Sequence, residues 1–130
     1  MAIPNGNAAE LQTYKLTAAQ KNAVDQIKSL VGPRGYVSKM DEMEPHLVDW
    51  RGVYRGNAEL VCYPINTKEV SDIVKICSAA MMPIVPQGGN TSMCGGSVPL
   101  KNSASIILNL SRMNKIRYLD KNNYTMTVEA

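Results

Sequence analysis

Phenylalanine is absent from this chain of 130 residues, while tyrosine and methionine are well represented. That absence excludes no function class. Other gaps exclude more. The three cysteines, Cys62, Cys77 and Cys94, are widely spaced and form no Cys-x-x-Cys or Cys/His pair, so no zinc site is indicated. Their odd number argues against a secreted scaffold built on disulfides. The single histidine, His46, and carboxylates scattered over helix and loop make no catalytic constellation. No apolar run is long enough to cross a membrane. The opening Met-Ala-Ile-Pro-Asn-Gly-Asn lacks the basic and apolar regions of a secretory signal. A reducing, cytoplasmic location is expected.

What is present describes an ordinary globular domain. Hydrophobic residues make up 45% and charged residues 19%, enough for a real core and unlike a disordered tail. The net charge is +3. The densest basic stretch, Lys101, Arg112, Lys115, Arg117 and Lys121, opposed by Asp120, lacks the interleaved aromatics of a single-strand platform. It reads as a solvated face, and no nucleic-acid partner is expected.

Local chemistry sets the elements. Residues 1–16 are a polar leader. Thr17 and Gln20 form a capping box, predicting a helix to about Leu30 with Val24, Ile27 and Leu30 or Val31 on one face, stopped by Gly32-Pro33. Residues 34–57 show no clean period and read as a loop with short helical turns, anchored by Trp50, with His46 an exposed loop residue. Ala58–Tyr63 is a short strand ended by Pro64. Asn66 caps the next helix with Glu69 at the capping-box position, and Val70, Ile73, Val74, Cys77 and Met81 form its apolar stripe. Strands follow at Pro83–Pro86 and Ser105–Leu110. Lys115–Leu119 and Tyr124–Val128 read as a hairpin around Asp120–Asn123. Strand, helix and strand in this order predict parallel strands. The fold class is α+β: a small parallel βαβ-type sheet flanked by helices, followed by a β-hairpin.

The segment that carries chemistry is Pro86-Gln-Gly-Gly-Asn-Thr-Ser-Met-Cys-Gly-Gly-Ser-Val-Pro99. Glycine admits positive φ and leaves no side chain between backbone and ligand. Successive backbone N–H groups can curl into an anion-binding nest, and Asn90, Thr91, Ser92 and Ser97 add neutral donors. Spacing rules out two commoner phosphate loops. No Lys follows a glycine, as a P-loop requires, and Asn90 stands at the second-glycine position of a dinucleotide fingerprint, with a strand rather than a helix after Gly96.

From Asp49 to Ala130 the chain resembles the FAD-binding domain of the vanillyl-alcohol oxidase and p-cresol methylhydroxylase superfamily. The nearest branch is that of D-2-hydroxyglutarate dehydrogenase, D-lactate dehydrogenase and the glycolate oxidase FAD subunit. The residues carrying the resemblance are Asp49-Trp50 with Tyr54-Arg55-Gly56, Leu60-Val61 with Pro64, Thr67-Lys68-Glu69-Val70, the glycine loop, Leu110–Ile116 and Thr127–Ala130. The resemblance implies that Gly88, Gly89, Asn90, Thr91 and Ser92 contact the FAD diphosphate, that Pro86 and Gln87 lead into the loop, and that Gly95, Gly96 and Ser97 lead out of it. Ser92 stands where this branch usually has glycine. Some relatives bind FAD covalently through a His of this loop; Asn90 occupies that place, so non-covalent FAD is implied. Cys94 is expected to be an inert small residue, Trp50 and Tyr54 to pack, and Arg51 and Arg55 to face solvent.

The division implied is residues 1–55 as leader, helix and loop, and 56–130 as the first part of a p-cresol methylhydroxylase-type FAD domain, cut at its C-terminus. The expected function is that of the N-terminal part of an FAD-dependent oxidoreductase that converts a D-2-hydroxy acid into the 2-oxo acid, inactive by itself because substrate domain, general base and any metal would lie beyond Ala130. The alternative is a truncated, non-catalytic fragment that folds without holding FAD stably. Partners implied are a 2-hydroxy acid and an unidentified electron acceptor; a homodimer is one assembly open to it.

Overall fold

The computed structural model describes residues 14–130; residues 1–13, most of the expected leader, lie outside the described residues. Helix α1 runs Ala18–Val31. Its capping box forms as the sequence dictates: the Gln20 N–H donates to Thr17 Oγ1 (3.1 Å), and the Thr17 N–H donates to Gln20 Oε1 (3.0 Å). Gly32 ends it at φ 70°, in the left-handed region where glycine carries no Cβ penalty. Ala23, Val24 and Ile27 are buried, and the choice left open at its end falls to Val31, which packs on the core while Leu30 is exposed.

Residues 34–57 are more ordered than a loop. They hold a short strand, β1 (Tyr36–Val37), and an eight-residue helix, α2 (Met40–Leu47), with Pro45 inside it. Met43 and Leu47, four apart, drop into the core and hold α2 on the sheet. Trp50 does not anchor the segment: it is 61% exposed, and Asp49, 3% exposed, does the anchoring.

Strands β2 (Leu60–Cys62), β3 (Ile84–Gln87) and β4 (Ile106–Asn109) are parallel to one another, and β1 is antiparallel on the edge, in the order β1-β2-β4-β3. The last of these four strands in sequence, β4, therefore inserts between the two joined by helix α3 (Thr67–Ala79). This is possible because the long glycine-rich connection brings the chain back to the starting end of the sheet. Both central strands are buried throughout, as strands covered on two faces must be. Alternate residues serve opposite faces. Leu60, Cys62, Ile106 and Leu108 meet α1 and α3, whereas Val61 and Ile107 meet α2. Each fully buried Leu or Ile contributes roughly 1.5–3 kcal/mol as an upper estimate.

Helix α3 begins as expected, with the Glu69 N–H donating to Asn66 Oδ1 (2.9 Å). The Glu69 carboxylate accepts from the Ile65 N–H (2.9 Å) rather than from the cap residue's own N–H. The buried face is turned from the expected stripe. Ile73 and Cys77 are buried, with Val70, Ile76 and Ala80 packed beside them, while Val74 and Met81 are exposed. The hairpin is β5 (Ile116–Asp120) with β6 (Thr125–Val128), antiparallel, with an irregularity between Ile116 and Tyr118. Asp120 closes its turn by accepting from the N–H groups of Asn122 and Asn123.

Candidate functional site

The glycine loop leaves the sheet at the carboxyl end of β3, where Gln87 lies beside Asn109 at the same end of β4. Ligands of open parallel sheets bind at this end, because the strands stop there and the connections open. Two buttresses hold the loop. The first is α2. Gln87, only 2% exposed, donates through Nε2 to the carbonyls of His46 (3.0 Å) and Ser97 (2.9 Å). Its Oε1 lies 2.6 Å from His46 Nδ1 and accepts from Asn109 Nδ2 (3.2 Å). Asn90, at φ 55°, turns its amide inward, donating to the Val48 carbonyl (2.7 Å) and to that of Pro45 (3.3 Å). Its Oδ1 accepts from the Ser97 hydroxyl (2.8 Å), tying the two limbs of the loop together.

The second buttress is the turn after α2. The buried Asp49 carboxylate accepts from the Tyr54 N–H (2.7 Å) and from the Arg51 N–H and Nε. The Tyr54 N–H above all, then Arg51, holds this carboxyl below the usual carboxylate range against the opposing effect of burial. The clamp is thus complete at neutral pH and is lost as acid protonates Asp49. From it Arg51 donates to the Met93 carbonyl, and the Tyr54 ring lies against Gly95, where a Cβ would come within 2.6 Å of it. Arg55 is exposed as expected and paired with Glu44 of α2 (2.6 Å).

Between the buttresses the backbone is open. An added Cβ at Gly88 would meet nothing within 4 Å, and at Gly89 only the Thr91 methyl at 3.8 Å. Among the described residues, no N–H from Gly88 to Ser92 donates to another protein group, and the loop contains no carboxylate to repel an anion. The glycines matter here for access. The positive φ expected of Gly89 is found instead at Asn90 and Gly95. Ser92 needs no glycine-like angle and accepts from the Gly96 N–H (3.3 Å). Two of the expected donors are otherwise engaged, since the Asn90 amide and Ser97 hydroxyl bond within the protein. Thr91 remains exposed.

The structure brings together Gln87, Asn90, Ser97 and the Gly88–Ser92 backbone, with Pro86, Gly95 and Gly96 at the loop's edges. Sequence reasoning missed His46, which is half-buried on α2 and bonded at both ring nitrogens rather than exposed on a loop. It also missed Asp49, Tyr63 and Asn109. One signal existed: Asn109 is a lone amide inside an apolar strand, a residue type that is buried only with partners.

An open run of backbone amides at the carboxyl edge of a parallel sheet, on a loop with no carboxylate of its own, defines a domain able to hold a polyanionic cofactor. The family follows from comparison. A family model described as "FAD binding domain" matches residues 58–130, and the chain belongs to this FAD-binding family, of the p-cresol methylhydroxylase type, whose cofactor is FAD. A probable mitochondrial D-2-hydroxyglutarate dehydrogenase of Oryza sativa subsp. indica is 39% identical over 107 residues, covering 82% of this chain and 19% of the relative. The glycolate oxidase subunit GlcD of Bacillus subtilis (strain 168) is 32% identical over 109 residues, covering 84% of this chain and 23% of the relative. A solved p-cresol methylhydroxylase with substrate bound superposes with TM-score 0.62 at 22% identity, covering 81% of this chain and 21% of that one, and so shares the fold. The chain thus spans about a fifth of the length of the curated relatives it matches. Against the expected cytoplasmic location, the rice relative is described as mitochondrial. No helix among the described residues is long and apolar enough to cross a membrane.

Proposed function

We propose that this chain is the FAD-binding part of an oxidoreductase that converts a D-2-hydroxy acid into the 2-oxo acid, with the cofactor part spanning residues 56–130 and residues 1–55 supplying its supporting helix and turn. One observation carries the reading: the uncommitted N–H groups from Gly88 to Ser92, on a loop braced from both sides. They fit the oxygens of a diphosphate, which accept several N–H bonds and need close backbone approach. Gly88 and Gly89 leave the approach open, Asn90 and Thr91 form the floor, and Ser92 closes the turn toward Gly96. Gln87 and Ser97 hold the two limbs, and Pro86, Gly95 and Gly96 set where they begin and end.

FAD, when bound, would supply the acceptor for the hydride, which carries the two electrons, taken from the substrate's α-carbon. This chain's residues bind and orient it. Asn90 donates through Nδ2 to the carbonyls of Pro45 and Val48 at the end of α2 and accepts at Oδ1 from the Ser97 hydroxyl, so the loop offers no imidazole and no free side chain for a covalent flavin link at that position. FAD held non-covalently follows. The 2-hydroxy-acid class rests on the relatives described as D-2-hydroxyglutarate dehydrogenase and glycolate oxidase subunit.

The test is the visible spectrum of the purified protein, expressed from its complete reading frame, before and after addition of D-2-hydroxyglutarate or D-lactate without oxygen. A flavin band that bleaches with one of them is the expected result. A colourless protein that takes up no added FAD would overturn the reading in favour of a non-catalytic fragment.

A further inference from the structure

His46 sits in a chain of hydrogen bonds whose direction is fixed from the Gln87 end. Gln87 Nε2 faces two carbonyls, those of His46 and Ser97, so this end of the carboxamide must be the nitrogen. Oε1 is therefore the atom facing His46 Nδ1 at 2.6 Å, and Nδ1 must carry the proton. Asn109 agrees. Its Oδ1 accepts from the Ser111 N–H, which leaves Nδ2 to donate to Gln87 Oε1 and the Gly88 carbonyl. On the other side of the ring, the Tyr63 hydroxyl lies 2.8 Å from Nε2. With Nδ1 protonated, the neutral ring has a bare Nε2, and the Tyr63 hydroxyl donates to it. Burial pushes the Tyr63 pKa up, which keeps this donor protonated.

We propose that His46 is a positioning residue for the cofactor loop. Gln87 Oε1 requires its Nδ1–H tautomer, Tyr63 completes the ring by donating to Nε2, the Nδ1–H in turn holds the Gln87 carboxamide, and Gln87 holds both limbs of the loop through the Ser97 carbonyl and the end of β3. The placing of the Gly88–Ser92 amides is thus set by side chains outside that run. The proposal rests on the reading of these amides as the diphosphate site. A ring that filled space alone would have no tautomer requirement. This one does, since an Nε2–H ring would leave Oε1 of Gln87 facing a lone pair in a part-buried site.

Two measurements test it. His46 is the only histidine among these 130 residues, and in 15N imidazole spectra of the folded wild-type protein its signals are the ones that vanish in His46→Asn. Nδ1 protonated and Nε2 bare is expected; the reverse tautomer overturns the proposal whether or not FAD binds. FAD affinity is then measured for the full-length wild type and for His46→Ala, His46→Asn, His46→Gln and Tyr63→Phe. An Asn amide places an N–H where Nδ1 stands, whereas Gln reaches toward the Nε2 position. About a tenfold loss is expected for His46→Ala, largely restored by Asn and not by Gln, and Tyr63→Phe leaves Nε2 without its partner, loosens the ring and weakens FAD several-fold. Affinity unchanged in every variant overturns the positioning role and leaves the proposed function standing. A wild type that binds no FAD overturns the proposed function, and with it the positioning role. If His46→Ala does not fold, the tautomer and Tyr63→Phe decide.

Discussion

At Gly95 two constraints meet at one atom. Its φ of 70° is a conformation that side chains rarely adopt, and a Cβ there would come within 2.6 Å of the Tyr54 ring. Gly89 carries neither constraint. Gly95→Ala is expected to destabilise the fold by about 1–3 kcal/mol, from backbone strain plus displacement of the ring, read as a lower urea midpoint. Gly89→Val should leave that midpoint nearly unchanged and instead diminish FAD retention, because its side chain enters open space over the amides. Equal effects of the two on stability would contradict this division. The sequence shows where glycines cluster but not which task each performs. The left-handed turn expected of Gly89 falls to Asn90, whose side chain is compensated by carbonyls at the end of α2. That compensation comes from residues more than forty positions away and leaves no local signal.

Elements differ in how far the sequence declares them. Helices α1 and α3 announce themselves through caps, and strands β2 and β4 through apolar runs bounded by turn residues. Helix α2 has no side-chain cap and carries Pro45, so periodicity and propensity both miss it. It forms because Met43 and Leu47 find Val61 and Ile107 on the face of the sheet that α1 and α3 do not cover, a tertiary reason. With α2 missed, His46 could only be read as a loop residue. The same layering sorts the thiols. Cys62 of β2 and Cys77 of α3 lie inside the core, where burial pushes their pKa values up to about 12 and about 11. Cys94 stands exposed on the loop. Native protein should therefore react with iodoacetamide at Cys94 alone, and at all three after denaturation, as counted by mass spectrometry. Rapid modification of Cys62 or Cys77 in native protein would show that the α1/α3 layer does not cover the sheet.

For the molecule as a whole, the parallel strands and the final hairpin were legible, and the order in which the strands neighbour one another was not. A strand–helix–strand unit leaves room for a later strand between its two, and only the length of the return after Ser97 permits β4 to take that place. The hairpin stands apart from both core clusters, with Ile116, Tyr118, Leu119, Met126 and Val128 more than half exposed and Tyr124 at 96%. The site belongs to the sheet instead. Two buttresses join α2 and the Asp49 turn to one loop, so FAD binding should be felt along that loop and little in α1.

Hydrogen–deuterium exchange with and without FAD tests this most directly, read on the peptide covering Gln87 to Ser97. Without FAD the Gly88–Ser92 amides, having no acceptor among the described residues, should exchange fast. With FAD bound they should slow by at least tenfold while α1 is unchanged. FAD bound with no protection across that peptide would place the cofactor elsewhere and contradict the assignment of the loop.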